Sequence, residues 1–306
     1  MRHCNNAVFA ALLVGATLTL GAQEKLAPPT PAQAVPRTVV LSVSVNDDKN
    51  RPFAGLGREN FTIYENDRPQ QIATFDRTDE PYSIGIILDL SGSMTTKLNS
   101  ARQAILRFLQ TANPQDEFFL IGFNDRPALI QDFTNSTVSI QSRLYTVTTG
   151  GKTALLDALD LGLARMKAAR YAPKALLVVS DGADNHSKIS EGKLREQVRG
   201  SDTEIYSIGI FGAYAPTPSE RSGPERLHDL SEETGGRMFR VDDLADMGDI
   251  AERISTMLRN QYLIGYQPSD PALDGKWRKV KVKINPSPGL RRLNVHVRTG
   301  YYAPLQ

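Results

Sequence analysis

The feature that most narrows the possible folds is a short run, Ile84-Gly85-Ile86-Ile87-Leu88, that carries no polar residue at any position. A strand with one face in water alternates apolar and polar residues. One without that alternation needs cover on both faces, as in a sheet held between two layers of helices. Phe118-Phe119-Leu120-Ile121-Gly122-Phe123 and Ala175-Leu176-Leu177-Val178-Val179 have the same character. Glu204 to Ile210 and Arg237 to Val241 read as further strands. Between these runs lie segments of helical period. Leu98, Ala101, Ile105, Phe108 and Leu109 mark the first, and Thr153 to Ala169 the next, with Leu155, Leu156, Leu159, Leu163 and Met166 inward. Glu191 to Arg199, Arg226 to Glu233 and Leu244 to Leu258 complete the set. Alternating strands and helices predict an α/β fold, a doubly wound, mostly parallel sheet with helices on both faces. One link departs from this. Asn124-Asp125-Arg126-Pro127 is too short for a right-handed crossover, so the strand at Ala128-Leu129-Ile130 is expected to be antiparallel, at the sheet edge.

The flanks have a different pattern. Val39 to Val45 alternates, and Phe61 to Glu65 and Gln71 to Phe75 are two short strands around the polar turn Asn66-Asp67. After the α/β region come Tyr262 to Tyr266, Trp277 to Ile284 and Leu293 to Val297. Neither set carries enough apolar residues to stand alone, so the two are expected to pair into one small β module with the α/β domain inserted between them. The expected division is 38–80 for the N-terminal β segment, 81–262 for the α/β domain and 263–306 for the C-terminal β segment.

Upstream, residues 23–37 form a Pro/Ala-rich linker. Residues 1–22 are expected to be a signal peptide: Arg2, then an uncharged stretch from Ala7, ending in the small residues Gly21 and Ala22. Sixteen uncharged residues are few for a membrane-spanning helix, so cleavage near Ala22 and a periplasmic or extracellular location are expected. An uncleaved anchor is the competing reading, and it alone would place the chain at a membrane. The single cysteine, Cys4, precedes the apolar run, so a mature chain would have neither disulfides nor thiol chemistry. With a formal charge of +2, composition gives no reason to expect a nucleic-acid partner.

The residues with chemistry gather at the ends of the apolar strands. One strand ends in Asp89-Leu90-Ser91-Gly92-Ser93, another in Ser180-Asp181-Gly182, and Gly150-Gly151-Lys152-Thr153 is read as opening a helix between them. In a doubly wound sheet, ligands bind beyond the carboxyl ends of the strands, where the winding direction reverses. Asp89, Ser91, Ser93, Thr153 and Asp181 are therefore candidate metal ligands. Two carboxylates and three hydroxyls make an oxygen-only set, which suits magnesium, manganese or calcium better than zinc or copper. Taken singly, the pieces have plainer readings: Ser91 or Ser93 as a helix N-cap, Thr153 as a cap, Asp181 as a turn residue.

In their order and context, Asp89, Ser91, Ser93, Thr153 and Asp181-Gly182 resemble the metal-ion-dependent adhesion site of von Willebrand factor type A domains. The resemblance runs from Tyr82 to Tyr262. It implies that Ser91, Ser93 and Thr153 ligate a divalent ion directly, while Asp89 and Asp181 act largely through water. It also implies an open coordination position that an acidic side chain of a protein partner can fill. The flanking β segments resemble the acidobacterial subgroup of these proteins.

Other signals are weaker. Gly150-Gly151-Lys152-Thr153 lacks the earlier glycine of a phosphate loop, Thr146 standing there, and it follows a helical stretch, Ser139 to Leu144. Asp184 and His186, in the loop after Asp181, are possible partner contacts, though His186 also fits plain surface. His228 and His296 have no Ser or Asp pattern beside them that would suggest a hydrolase triad. Lys279, Lys281 and Lys283 alternate with apolar residues, as on a solvated strand face where lysines discourage edge pairing. The loop Gly212 to Glu225, with three prolines, should stand on the same rim as the metal. The expected function is an exported, metal-dependent protein-binding module and not an enzyme. A metal-dependent hydrolase and a module whose metal only rigidifies the rim are the alternatives.

Overall fold

The computed structural model describes residues 38–77, 80–211, 221–285 and 293–305. The expected signal segment 1–22, the linker 23–37 and residues 212–220 of the proline-containing loop lie outside the described residues.

The chain begins with β1 (Val39–Asn46), β2 (Phe61–Glu65), β3 (Arg68–Gln70) and β4 (Ile72–Arg77). It ends with β11 (Tyr262–Tyr266), β12 (Trp277–Ile284), β13 (Asn294–His296) and β14 (Gly300–Tyr302). These strands interleave in two antiparallel sheets, β13-β1-β11-β4 and β14-β12-β2-β3. Each sheet takes strands from both ends of the chain, so neither end builds a sheet alone. Leu41, Val43, Ile63, Tyr262, Ile264 and Val282 meet in a core shared by the two sheets. The rings of Phe61, Phe75 and Tyr262 lie 5.1 to 5.7 Å apart within it.

Each flank thus has one strand more than its sequence pattern predicts. β3 and β14 are three residues long, too short to show alternation. β3 exists because Asn66 and Asp67 both take positive φ, +47° and +62°, the two-residue hairpin turn that matches strand twist. β12 lies between β14 and β2, so Lys279, Lys281 and Lys283 line a solvated sheet face more than an edge.

Inserted between the flanks is a six-stranded sheet of β5 (Ser83–Asp89), β6 (Glu117–Phe123), β7 (Pro127–Thr134), β8 (Lys174–Ser180), β9 (Glu204–Gly209) and β10 (Met238–Arg240). Its order is β10-β9-β8-β5-β6-β7, parallel throughout except for β7, which runs antiparallel at the edge. The helices are α1 (Leu98–Thr111), α2 (Thr137–Thr146), α3 (Leu155–Met166), α4 (Glu191–Arg199), α5 (Gly223–Thr234) and α6 (Met247–Arg259). Ile84, Ile86 and Leu88 pack under α1, α2 and α6, while Ile87 points to the other face, under α3, α4 and α5. Every residue of β5 is buried, as an unbroken apolar run requires. Burial of each such side chain contributes about 1.5–3 kcal/mol. Gly85 is small for a reason: a Cβ there would lie 2.2 Å from Phe119 and 2.6 Å from Leu176.

Several expected boundaries move, two of them beside the rim. The helix expected from Thr153 starts at Leu155, because Ala154 has non-helical angles (φ −107°, ψ 61°). Residues Gly223 to Glu225, expected in a loop, form the first turn of α5, where Pro224 fits because the first helical N–H groups have no intrahelical partner.

Candidate metal centre

From β5 the chain proceeds to β6 and β7 on one side, while β8, β9 and β10 build the other. The winding therefore reverses between β5 and β8, and a carboxylate stands at the end of each, Asp89 closing β5 and Asp181 directly following Ser180 of β8. This is the switch point at which an open α/β sheet forms its binding crevice.

The loop after β5 is held by its backbone. Leu90 N donates to Phe123 O (2.7 Å), Gly150 N to Leu90 O (2.8 Å) and Gly92 N to Gly151 O (3.2 Å). Gly92–Met94 makes a 3₁₀ turn whose Met94 is fully buried. Asp89 is fully buried; one carboxylate oxygen accepts from Ser91 N (2.9 Å) and the other from Ser180 Oγ (2.6 Å). Burial first, and then the charge of Asp181, pushes its pKa up to about 6, against hydrogen bonds from Ser180 and Ser91.

Above Asp89 runs a short chain of oxygens. Ser91 Oγ lies 3.1 Å from Ser93 Oγ, and Ser93 Oγ donates to Asp181 Oδ2 at 2.6 Å. The other Asp181 oxygen accepts from Ala183 N (3.2 Å). The tight turn after Asp181 needs Gly182, whose φ is +74° and whose Cβ would lie 2.6 Å from Gly223 O at the start of α5. Thr153 is tied to the Asp181 loop: its N–H donates to Asn185 Oδ1 (3.0 Å), and its carbonyl accepts from Asn185 N and His186 N. Thr153 and Asp181 are buried, and Ser93 is exposed.

The structure therefore joins Ser91, Ser93 and Asp181 in one hydrogen-bonded chain, sets Asp89 beneath it, and holds Thr153 in the adjoining loop. These residues suit a hard cation. Neighbouring oxygens around octahedral magnesium, at about 2.1 Å from the ion, stand about 3 Å apart, close to the spacings along this chain. Among the described residues no group of three or more His, Cys, Asp or Glu side chains is placed to hold a metal, so a site here would draw on hydroxyls, carbonyls or water beside the two carboxylates.

Asp184 is turned inward. It accepts from Leu156 N (3.3 Å) and Ser187 Oγ (2.6 Å), capping α3, whereas His186 beside it is exposed. His228 is exposed on α5, and His296 lies in β13, 3.7 Å from Glu232. Gly150-Gly151-Lys152-Thr153 follows α2, not a strand.

Residues outside the expected ligand set also build this rim. Ser180 bridges Asp89 and Gly182 N. Asp125 supports the Thr153 loop by accepting from Lys152 N (2.9 Å). Lys97 reaches in from the start of α1, its ammonium 3.6 Å from Asp181 Oδ2 and 3.1 Å from the Ile210 carbonyl. Ser180 sits at the end of an apolar strand and could have been found from that position. Lys97 has no local signal, because its partners come from distant parts of the chain.

Known proteins share the fold that carries this rim. Residues 84–183 match the family model of the von Willebrand factor type A domain. The solved von Willebrand factor type A structure from Catenulispora acidiphila aligns with a TM-score of 0.52 at 13% identity, covering 89% of this chain and 75% of that one. Proximal thread matrix protein 1 from the mussel byssus, solved with zinc in its metal-ion-dependent adhesion site motif, aligns with a TM-score of 0.51 at 15% identity, covering 63% of this chain and 49% of that one. At such identities the likeness is one of fold. An uncharacterized protein of Borreliella burgdorferi is 23% identical in an alignment of 184 residues that covers 52% of this chain and 54% of that protein. The chain thus spans about half the length of this curated relative. With the matched residues covering β5 to the Asp181 turn, the chain carries a von Willebrand factor type A domain.

Proposed function

We propose that the chain is an exported binding module whose rim holds a divalent cation, magnesium or manganese, among Asp89, Ser91, Ser93, Thr153 and Asp181. The ion takes its last ligand from an acidic side chain of a protein partner. The observation that carries this reading is the chain Ser91–Ser93–Asp181 at the switch point, with a second carboxylate buried beneath it. The bound ion supplies positive charge at the rim. The protein's part is to hold five oxygen-bearing side chains on three loops braced against one another, and to leave the partner side open at Ser93. The mussel protein's zinc-occupied motif supports a metal at this kind of rim, and it makes zinc a cation to test beside magnesium and manganese. The role is binding without turnover. Export rests on the N-terminal signal read from the sequence; among the described residues no helix is long and apolar enough to cross a membrane.

Titration calorimetry with magnesium, manganese and zinc tests the site: one ion should bind per chain in the wild type and none in Asp89→Ala. Capture of envelope proteins from the source cell should fail in chelator and return with added metal. Absence of binding of any of the three ions at millimolar concentration would end this reading. A second reading, partner binding by a rim that needs no metal, draws on the Lys97–Asp181 ion pair.

A further inference from the structure

The rim already contains a cation of its own. Lys97 precedes α1, and its side chain is largely buried, 16% exposed, as is that of Asp181, 4% exposed. Among the described residues its ammonium has two partners, the Asp181 carboxylate at 3.6 Å and the Ile210 carbonyl at 3.1 Å. The Ile210 contact is a hydrogen bond, and the Asp181 contact is a longer charge–charge approach. Ser93 Oγ donates to the same Asp181 oxygen, Oδ2, that Lys97 approaches. A second cation near this turn, Arg226, is committed elsewhere: it donates to the Gly182 carbonyl (2.6 Å) and Ser222 Oγ (3.1 Å) and pairs with Glu191 (3.3 Å).

We propose that Lys97 is the resident counter-cation of the rim. It offsets the Asp181 charge when no divalent ion is bound, and a divalent ion must compete with it for that carboxylate. The idea rests on the metal reading above and adds its regulation. Two carboxylates crowded at low dielectric repel each other, and one ammonium nearby relieves part of that repulsion without filling the hydroxyl positions. An ion bringing two positive charges to Asp181 is repelled by the same ammonium. Because Lys97 keeps its bond to the Ile210 carbonyl, it retains a partner when it leaves Asp181. Metal affinity is lowered, and the metal-free rim stays assembled.

The consequence is that stability and affinity move in opposite directions. Lys97→Gln should melt at a lower temperature than wild type in chelator, yet bind magnesium or manganese about ten-fold more tightly, since a unit charge a few ångströms from the ion is gone. Lys97→Arg keeps the charge and can grip Asp181 with two N–H groups, so its affinity should equal the wild type's or fall below it. A merely structural lysine would give both variants weaker or unchanged metal binding along with lower stability. Metal binding in Lys97→Gln that is no tighter than in wild type overturns the proposal while leaving the metal site intact. Binding in Lys97→Gln at ion concentrations too low to load the wild type supports it. If neither protein binds an ion, the metal reading and this inference both fail.

Discussion

At the carboxyl ends of β5 and β8, Asp89 is buried beneath a second carboxylate and two serine hydroxyls, with Ser93 exposed. At the opposite end of the same sheet, Asp116 and Glu204 are buried too, but in other company. Asp116 accepts from Tyr82 N (2.7 Å) and Asn113 N (3.0 Å) and pairs with Arg259 of α6. Glu204 accepts from Tyr206 Oη (2.9 Å) and Gln261 Nε2 (2.7 Å), and Gln261 accepts in turn from Tyr82 Oη. The lower end surrounds its carboxylates with N–H and O–H donors, which satisfy them and join the α/β domain to the strand that follows α6. The upper end sets two carboxylates near each other and adds hydroxyls, groups that can give lone pairs to a cation. Burial of an acid is therefore not the mark of a metal site. What surrounds the acid is.

The sharpest way to break this comparison is to remove one carboxylate from each end. Asp116→Ala removes the carboxylate that two backbone N–H groups use and breaks the ion pair with Arg259, and should cost about 3–5 kcal/mol of stability. Its metal affinity should match the wild type's, as titration calorimetry would show. Asp89→Asn should do the reverse. In chelator it should melt within a few degrees of wild type, because it removes a charge that burial and Asp181 both disfavour. Its metal response should vanish. Wild type at a hundred times the dissociation constant gains about 2.7 kcal/mol by mass action. At roughly 2–4 °C per kcal/mol for a chain of this size, that shift is readily measured. A large loss of chelator-state stability in Asp89→Asn would show that the two ends are built alike.

The lower end can also be tested by pH. Burial pushes the Glu204 pKa from its ordinary 4.5 up to about 7, against hydrogen bonds from Gln261, Tyr206 and Ser42. Between those two values the folded chain binds more protons at this group than the unfolded chain does. Stability at Glu204 therefore falls as pH rises from about 4.5 to about 7, and is level above that. Asp89 has a raised pKa as well and contributes a slope of the same sign, so the comparison must be with Glu204→Gln, which retains Asp89. The melting temperature of wild type relative to Glu204→Gln should decline across that window and then hold constant. A constant difference from pH 5 to pH 8 would mean that Glu204 is ionised throughout.

How much of this was legible beforehand differs between fold and site. The unbroken apolar runs implied a sheet covered on both faces, and the four-residue link Asn124 to Pro127 implied the antiparallel edge strand. Those features are local in sequence and act through burial and chain geometry. β3 and β14 were not legible, because three residues are too few to display a period. At the rim, Asp89, Ser91 and Ser93 lie in one motif, and Asp181 directly follows an apolar strand, so each announces itself. Lys97 does not: nothing in Met94 to Leu98 tells a lysine that starts a helix from one that crosses to Asp181. Thr153 was placed at a helix start, yet Ala154 breaks the helical angles, and the loop is set by Asn185 and Asp125 from other parts of the chain.

The smallest expected effect separates a ligand from a charge. Ser91 is buried, and its hydroxyl lies 3.1 Å from Ser93 Oγ. The turn itself depends on Ser91 N donating to Asp89 and on Met94 N donating to Ser91 O, and neither bond uses the side chain. Ser91→Ala therefore removes one oxygen from the rim without removing the turn or either carboxylate. It should weaken metal binding by about ten-fold, close to 1.4 kcal/mol, and leave the melting temperature in chelator within about 1 kcal/mol of wild type. Ser180→Ala is the matching control, since Ser180 bonds to Asp89 and Gly182 N but stands outside the chain of rim oxygens. It should lower stability in chelator by about 1 kcal/mol while changing metal affinity less than Ser91→Ala does. If calorimetry finds the two serines equivalent toward metal, the Ser91 hydroxyl belongs to the scaffold, and the ligand set has to be redrawn around Ser93, Thr153 and the two aspartates.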